Sequence, residues 1–202
     1  MNNPKSNYIH ALKPLCASVI LAVTANAQAA LFNPDGQTVF NSPISLDNQG
    51  KTDSSYTGID LDGGSDNDTI TYDFNSDVSI KLTNGTTDSD WSAYGVWVTN
   101  GVDSAALVNF NEALNITIKG SSNMGVGLMA NPKYNPIPGG EQGQNNGTTV
   151  TLNGPVTMNI SGNSVTAVVA GSHFNNNTNP GGKVVFGELS GEDKHRIVVS
   201  SD

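Results

Sequence analysis

The sequence predicts an all-β protein whose short strands coil into a parallel β-helix, a solenoid with one continuous core. Three observations predict this fold. The composition is poor in apolar (36%) and charged (13%) residues and includes 22 glycines, which favours turns and strands over helices. Apolar residues recur at every second position of several segments, as in strands with one buried face. Those segments also repeat along the chain, and stacked repeats bury a core that a single repeat cannot bury.

Residues 1–29 predict a cleavable signal peptide. They contain Lys5 and Lys13 but no acidic residue, and an apolar run extends from Leu15 to Val23. The run is shorter than the ~20 residues that span a bilayer, and the small residues Ala27 and Ala29 form an A-x-A cleavage site. A short buried strand or a membrane anchor is the alternative interpretation.

Three stretches of the remaining chain align without gaps and define the repeat. They are "TITYDFNSDVSIKL" (69–82), "AALVNFNEALNITI" (105–118) and "GTTVTLNGPVTMNI" (147–160), and each predicts two strands that meet at a corner. Their shared apolar columns are Tyr72–Val108–Val150, Phe74–Phe110–Leu152, Val78–Leu114–Val156, Ile80–Ile116–Met158 and Leu82–Ile118–Ile160. A third strand follows in each unit, with the expected columns Val96–Val126–Val168 and Val98–Leu128–Ala170. We assign residues 30–68 to an N-terminal cap and 69–202 to solenoid repeats truncated at the C-terminus.

The acidic stretch around "GGSDNDTI" (63–70) is a candidate calcium site. It matches the G-G-x-G-x-D-x-U-x repeat of calcium-binding β-rolls except at the fourth position, where Asp66 replaces glycine. Asp60, Asp62, Asp66 and Asp68 would supply carboxylate oxygens, the ligands that calcium prefers. A solvated turn ahead of the strand at Thr69 is the alternative. No other cofactor is expected.

Three aromatic residues form a candidate ligand-binding patch. Trp97 alternates with Val96 and Val98, so it points outward if those valines face the core. Together with Trp91 and Tyr94, it would offer an aromatic surface to sugars or to another protein surface. Packing of these rings beneath an adjacent loop is the alternative.

Charge and residue types argue against several functions. Removal of residues 1–29 takes away the one cysteine and two lysines, which leaves 7 basic against 18 acidic residues and a formal charge of −11. Such a chain is a poor match for nucleic-acid phosphates, so nucleic acid is not an expected partner. The mature chain has no thiol nucleophile and no G-x-S-x-G motif. No repeat strand places two acids on one face, as a carboxylate pair for glycoside hydrolysis would need. We expect no enzymatic activity.

The signal peptide, the cysteine-free chain rich in Gly, Asn and Thr, and units such as "NITIKGSSNMGVGLMAN" (115–131) resemble the passenger domains of Gram-negative autotransporters, especially adhesin-like ones. The resemblance implies a right-handed, single-stranded parallel β-helix that reaches the cell surface or the medium through a C-terminal outer-membrane β-barrel. No residues for that barrel follow Asp202. We therefore expect a fragment, a disrupted gene product or a separated passenger, which would stay in the periplasm if no barrel is supplied.

The same resemblance implies non-catalytic adhesion or self-association, as in aggregation and biofilm formation. The expected partners are host-cell surfaces, glycans and like passengers on neighbouring cells. The alternative function is a secreted β-helix carbohydrate-active enzyme, either a polysaccharide lyase or a hydrolase. An acid or base cluster on one face would favour the enzyme, whereas a polar and aromatic face would favour adhesion.

Overall fold

The computed structural model describes residues 29–51, 55–64, 68–84, 91–100, 104–121, 123–132, 147–171, 182–191 and 193–201. These residues form fifteen β-strands and no helix, and so no helix that could cross a membrane. The strands are β1 (Ala29–Phe32), β2 (Val39–Phe40), β3 (Ile44–Asp47), β4 (Tyr56–Asp62), β5 (Thr69–Phe74), β6 (Val78–Thr83), β7 (Ser92–Asn100), β8 (Ala105–Phe110), β9 (Leu114–Ser121), β10 (Met124–Pro132), β11 (Thr148–Leu152), β12 (Val156–Gly162), β13 (Val165–Ala170), β14 (Lys183–Phe186) and β15 (Arg196–Ser201).

The strands form three five-stranded sheets in which every pairing is parallel. Sheet A has the order β1-β4-β7-β10-β13, sheet B the order β2-β5-β8-β11-β14, and sheet C the order β3-β6-β9-β12-β15. Every third strand returns to the same sheet, so three consecutive strands make one coil, from coil 1 (β1–β3) to coil 5 (β13–β15). The predicted all-β parallel solenoid is confirmed.

The five columns predicted for the first two strands of each unit are confirmed. In sheet B, Phe74 pairs with Phe110 and Phe110 with Leu152. In sheet C, Ile116 pairs with both Ile80 and Met158. The corner between sheets B and C has the same length in each of these coils, so the two-residue periodicity carries the register across the corner without a slip.

The register predicted for the third strand is wrong by two residues in the middle unit. Val96 pairs with Leu128 rather than Val126, and Val98 pairs with Ala130 rather than Leu128. Leu128 in turn pairs with Val168. Glycines set this register, because a Cβ atom on Gly95 or Gly127 would lie too close to a carbonyl oxygen of the neighbouring strand.

The segment assigned to an N-terminal cap contributes strands β1 to β4 to the same three sheets. Phe40 pairs with Phe74, and Leu46 pairs with Ile80. Residues 29–62 therefore stack in register with the repeats, and the described solenoid begins with β1.

Aligned apolar side chains fill the core. The rings of Phe40, Phe74 and Phe110 are stacked, with successive centroids 4.6 Å and 4.7 Å apart. Leu152 continues that column and is fully buried. Because each inward residue touches its counterpart in the next coil, burial depends on stacking of coils rather than on any one coil.

An asparagine ladder runs along the corner that follows the phenylalanine column. The Nδ2 atom of Asn75 donates to Oδ1 of Asn41 at 2.9 Å, and Asn111 donates to Asn75 at 2.7 Å. Asn153 donates to Asn111 at 2.8 Å. Each amide thus links one coil to the coil before it, which adds hydrogen bonds along the solenoid axis to those of the backbone.

Candidate binding cleft

A column of glycines bends the strands of sheet A and decides which side chains face outward. Gly58, Gly95 and Gly127 occupy equivalent positions, and the ladder of paired residues skips all three. A Cβ atom on Gly58 would lie 2.5 Å from both the Gly95 carbonyl oxygen and Cγ2 of Ile80, closer than side-chain carbon atoms approach. Glycine is required at these three central positions, whereas Leu31 and Ala167 occupy the equivalent positions in the first and last coils.

The bend also reverses the inside-outside alternation. Gly95 faces the core, because a Cβ there would meet Ile116, and the next residue, Val96, belongs to the core as well. Two consecutive inward residues place Tyr94 and Trp97 on the same outer side, although regular alternation would put them on opposite sides. The same shift in β4 places Thr57 and Asp60 outside together.

Tyr94 and Trp97 pack together on the outer side of sheet A. Their ring centroids are 4.5 Å apart at an interplanar angle of 60°. Tyr94 forms a buried cluster with Val126 and Met129, and Trp97 is partly buried against it. The Tyr94 hydroxyl donates to Sδ of Met124 at 3.5 Å, and burial raises the pKa of this phenol. The Trp97 indole is therefore held in place from one side.

The predicted three-residue aromatic patch is corrected at one position. Trp91 is only 1% exposed and belongs to the solenoid core, so it does not share a surface with the other two rings. Tyr94 is 6% exposed, and its ring packs against Trp97, Val126 and Met129 instead of facing solvent. Of the three residues, Trp97 alone lines a cleft.

A tight turn between β1 and β2 forms one wall of that cleft. The amide of Gln37 donates to the carbonyl of Pro34 at 2.8 Å. The two central residues, Asp35 and Gly36, have φ angles of 42° and 85°, as in a type I′ turn, for which Asp-Gly is a favoured pair. The Asp35 amide also donates a hydrogen bond to the side-chain oxygen of Asn33 at 3.3 Å.

The cleft has a volume of about 350 Å³. It lies on the outer side of sheet A, in coils 1 to 3. Strands β4 and β7 contribute the floor, and β5 contributes Tyr72 at one end. The lining residues are Asn33, Pro34, Asp35, Gly36, Thr57, Asp60, Asp62, Tyr72, Trp97 and Thr99.

Tyr72 fixes the end of β4 at the cleft. Its hydroxyl donates to the Asp62 carbonyl oxygen at 2.7 Å. Burial, followed by the nearby negative charge of Asp62, raises the pKa of the Tyr72 phenol above its ordinary value. The phenol consequently stays protonated at neutral pH and keeps donating this hydrogen bond.

The cleft is electronegative. Asp35, Asp60 and Asp62 contribute three carboxylates, and the lining residues include no Lys, Arg or His. Threonine hydroxyls and an asparagine amide add neutral hydrogen-bonding groups beside the Trp97 indole. Aromatic rings that pack on the apolar face of a sugar, combined with acceptors for its hydroxyls, are the groups that a neutral carbohydrate needs.

The candidate calcium ligands are only partly brought together. Asp60 and Asp62 share the cleft, whereas Asp68 is exposed just before β5 and does not line it. Asp66 lies outside the described residues. Within the described ranges, no group of three or more His, Cys, Asp or Glu side chains could hold a metal ion. Calcium binding by all four carboxylates stays a prediction.

The predicted signal cleavage site lies at the edge of the described chain. Ala27 is outside the described residues, and Ala29 is the first residue of β1, opposite Tyr56. Cleavage after Ala29 would remove one residue of that strand and leave Ala30 paired with Thr57.

Comparisons of the chain with protein-family models, with curated proteins and with solved structures gave no match.

The sequence analysis missed Asp35, Thr57, Tyr72 and Thr99 as cleft residues. The Asp-Gly pair at 35–36 predicts a tight turn, but nothing in the sequence places that turn beside Trp97, more than sixty residues away. Pairing of β1 with β4 and of β4 with β7 brings them together.

Proposed function

We propose that this chain is an exported, autotransporter-like passenger that acts by adhesion and binds neutral glycans in the cleft of coils 1 to 3. One observation carries the proposal: the indole of Trp97 is braced by Tyr94 on one side and lines a cleft of carboxylates and hydroxyls on the other. A braced aromatic ring costs little conformational entropy when it packs on a ligand. Partners would be glycans of host-cell or neighbouring-cell surfaces.

The charge of the cleft favours particular sugars. Three carboxylates without a lining cation repel uronates and other acidic sugars, while their oxygens accept hydrogen bonds from neutral hydroxyls. We therefore expect binding to neutral hexose oligosaccharides and rejection of oligogalacturonate. The solenoid would hold this cleft at a fixed orientation. Such a display favours adhesion through many weak glycan contacts over binding through one tight contact.

The decisive experiment compares the binding of neutral and uronate oligosaccharides by wild type and by Trp97→Ala. Loss of an aromatic anchor typically costs about 2 kcal/mol or more, so affinity for the neutral glycan should fall at least tenfold. Leu107→Ala is the matched control, because Leu107 is 37% exposed on β8 and does not line the cleft. Unchanged affinity in Trp97→Ala, with an unchanged melting temperature, would contradict the proposal.

Export is tested separately. If residues 1–29 are a signal peptide, protein recovered from the periplasm or the medium should begin at Ala30. Recovery of chains that retain residues 1–29 would contradict export by this route, and would leave the glycan measurement unaffected.

A glycoside hydrolase is the second candidate, favoured by one observation. Asp60 and Asp62 line the cleft on the same side of β4, with their Cα atoms roughly 6.6 Å apart along the strand, and their side-chain rotamers set the distance between the two carboxyl groups. The structure thus contains a carboxylate pair that the repeats at 69–202 do not show. Inverting glycosidases hold their two carboxyl groups about 6.5–9.5 Å apart. Release of reducing ends by wild type, abolished in Asp60→Asn and Asp62→Asn, would favour this activity over adhesion.

A further inference from the structure

Coil 5 exposes side chains in columns that are buried in the other coils. Ile197 continues the column of Ile116 and Met158, and Phe186 continues that of Phe110 and Leu152. Ile197 is 41% exposed and Phe186 is 38% exposed, whereas the other four are at most 1% exposed. Val199 is also 44% exposed. Within the described residues, the outer face of coil 5 is therefore an apolar surface on which a further coil could stack.

The same end presents an open strand edge. In sheet C the amides of Ile44, Val78 and Leu114 each donate to a carbonyl of the following coil. In a parallel strand, the backbone N–H and C=O groups of every second residue point to the same neighbouring strand. Ile197 and Val199 lie two and four residues after the position equivalent to Leu114, so their backbone groups point away from β12. No strand within the described residues pairs with this edge of β15. Open edges of this kind template the addition of another strand.

The opposite end of the solenoid contains a complementary recess. A cleft of about 380 Å³ is lined by inward-facing residues of all three strands of coil 1, namely Phe32, Phe40, Ile44 and Leu46. Its other lining residues are Asn33, Gln37, Asn41, Ser42 and Pro43, and none comes from coil 2. The recess is thus the end of the core, open on the side away from β4 to β6.

We propose that coil 5 of one copy stacks on coil 1 of a second copy, head to tail, so that the three sheets continue from one molecule to the next. Continuing the register places Phe186 against Phe40 of the second copy and Ile197 against Leu46. The interface repeats the coil-on-coil contact that the chain makes four times within itself. The proposed partner of coil 5 is therefore coil 1 of a second copy, whose strand spacing and sheet geometry match those of coil 5.

Charge supports the pairing of unlike ends over like ends. Among the described residues, strands β1 to β3 and their turns carry the carboxylates Asp35 and Asp47 against one cation, Lys51. Coil 5 and its turns carry the cations Lys183, Lys194 and Arg196 against two described carboxylates, Glu188 and Asp193. The described residues thus give coil 1 a formal charge of −1 and coil 5 a formal charge of +1. Head-to-tail contacts do not close on themselves, so they build linear filaments, with the cleft of sheet A repeated along the side.

The first test measures self-association of the full chain by sedimentation velocity over a concentration series. Wild type should sediment faster as concentration rises, and Ile197→Lys/Val199→Lys should stay monomeric with an unchanged melting temperature, because both side chains are exposed in the monomer. Leu107→Lys is the control, since Leu107 has similar exposure on the side of a central coil, and it should associate as wild type does. A wild type that stays monomeric at every concentration would overturn the proposal, as would equal association of the double variant.

The second test distinguishes head-to-tail stacking from pairing of two like ends. Ser45→Pro changes an exposed residue of β3 whose N–H points to the open edge, since its neighbour Ile44 bonds to β6. This variant and the Ile197→Lys/Val199→Lys variant should each be monomeric alone and form a 1:1 dimer when mixed. Association of Ser45→Pro by itself, or no dimer in the mixture of two folded variants, would refute head-to-tail stacking. Neither result depends on glycan binding.

Discussion

The asparagine ladder allows a stability prediction based on counting hydrogen bonds. Asn111 lies inside the ladder: it donates to Asn75 at 2.7 Å and accepts from Asn153 at 2.8 Å. Asn111→Ala removes both bonds. A net hydrogen bond contributes about 0.5–1.5 kcal/mol, and water can reach the freed groups at this corner, so we expect a loss of about 1–2 kcal/mol. Asn153→Ala removes only the bond to Asn111 and should cost roughly half as much.

The double variant makes the test sharper. Asn111→Ala/Asn153→Ala loses the same two bonds as Asn111→Ala, because the bond between the two residues is counted once. Its free energy of unfolding should therefore match that of the single Asn111→Ala variant, and the coupling energy should equal the cost of Asn153→Ala.

Urea unfolding measures these differences as shifts of the midpoint at constant slope. For a chain of this size, 1 kcal/mol also lowers the melting temperature by about 2–4 °C. Additive costs in the double variant, or an Asn111→Ala cost no larger than that of Asn153→Ala, would refute the view that the amides stabilise the solenoid through successive mutual hydrogen bonds.

Three further predictions concern the core, the bend and an ion pair. Ile116→Asp buries an unpaired charge and should cost more than about 4 kcal/mol, and unchanged thermal melting would contradict this. Gly95→Ala places a Cβ 2.7 Å from Cγ2 of Ile116 and still closer to the Gly127 carbonyl, so overpacking should cost about 1–3 kcal/mol in urea unfolding. Burial opposes ionisation of Asp47, but hydrogen bonds from Lys81 and the Gln49 amide, with the Lys81 charge, lower its pKa overall. The stability that the Asp47–Lys81 ion pair contributes is present above the unfolded pKa of about 3.9. It is lost as pH falls through the lower pKa of the folded state. Because both side chains are exposed, this contribution amounts to less than about 1 kcal/mol. Asp47→Asn should abolish that part of the acid dependence, and an unchanged pH profile would contradict it.

The repeat columns were predictable because two local rules agree there. Strand residues alternate between faces, and the corner between sheets B and C has the same length in coils 1 to 4, so counting along the chain reaches the right partner there. The same rule could have extended the repeat to coil 1: "FNSPISL" (40–46) matches "FNSDVSI" (74–80) at four of seven positions.

The orientation of the sheet A side chains was not predictable by alternation. Regular alternation puts Tyr94 on the side of Val96, in the core. The bend at Gly95 places it outside beside Trp97, because a second inward residue follows the glycine. Trp91 precedes β7, where no periodicity applies, and it lies in the core.

The sequence by itself determined the fold class and the register of sheets B and C in coils 2 to 4, because side-chain alternation and the equal corner length of those coils are local properties. Only the tertiary structure decided the register of sheet A, since that depends on where three backbones approach too closely for a Cβ atom. It also decided the cleft, which joins a turn at 33–36 to Trp97 through two strand pairings. The distance between those groups along the chain carries no information about their distance in space.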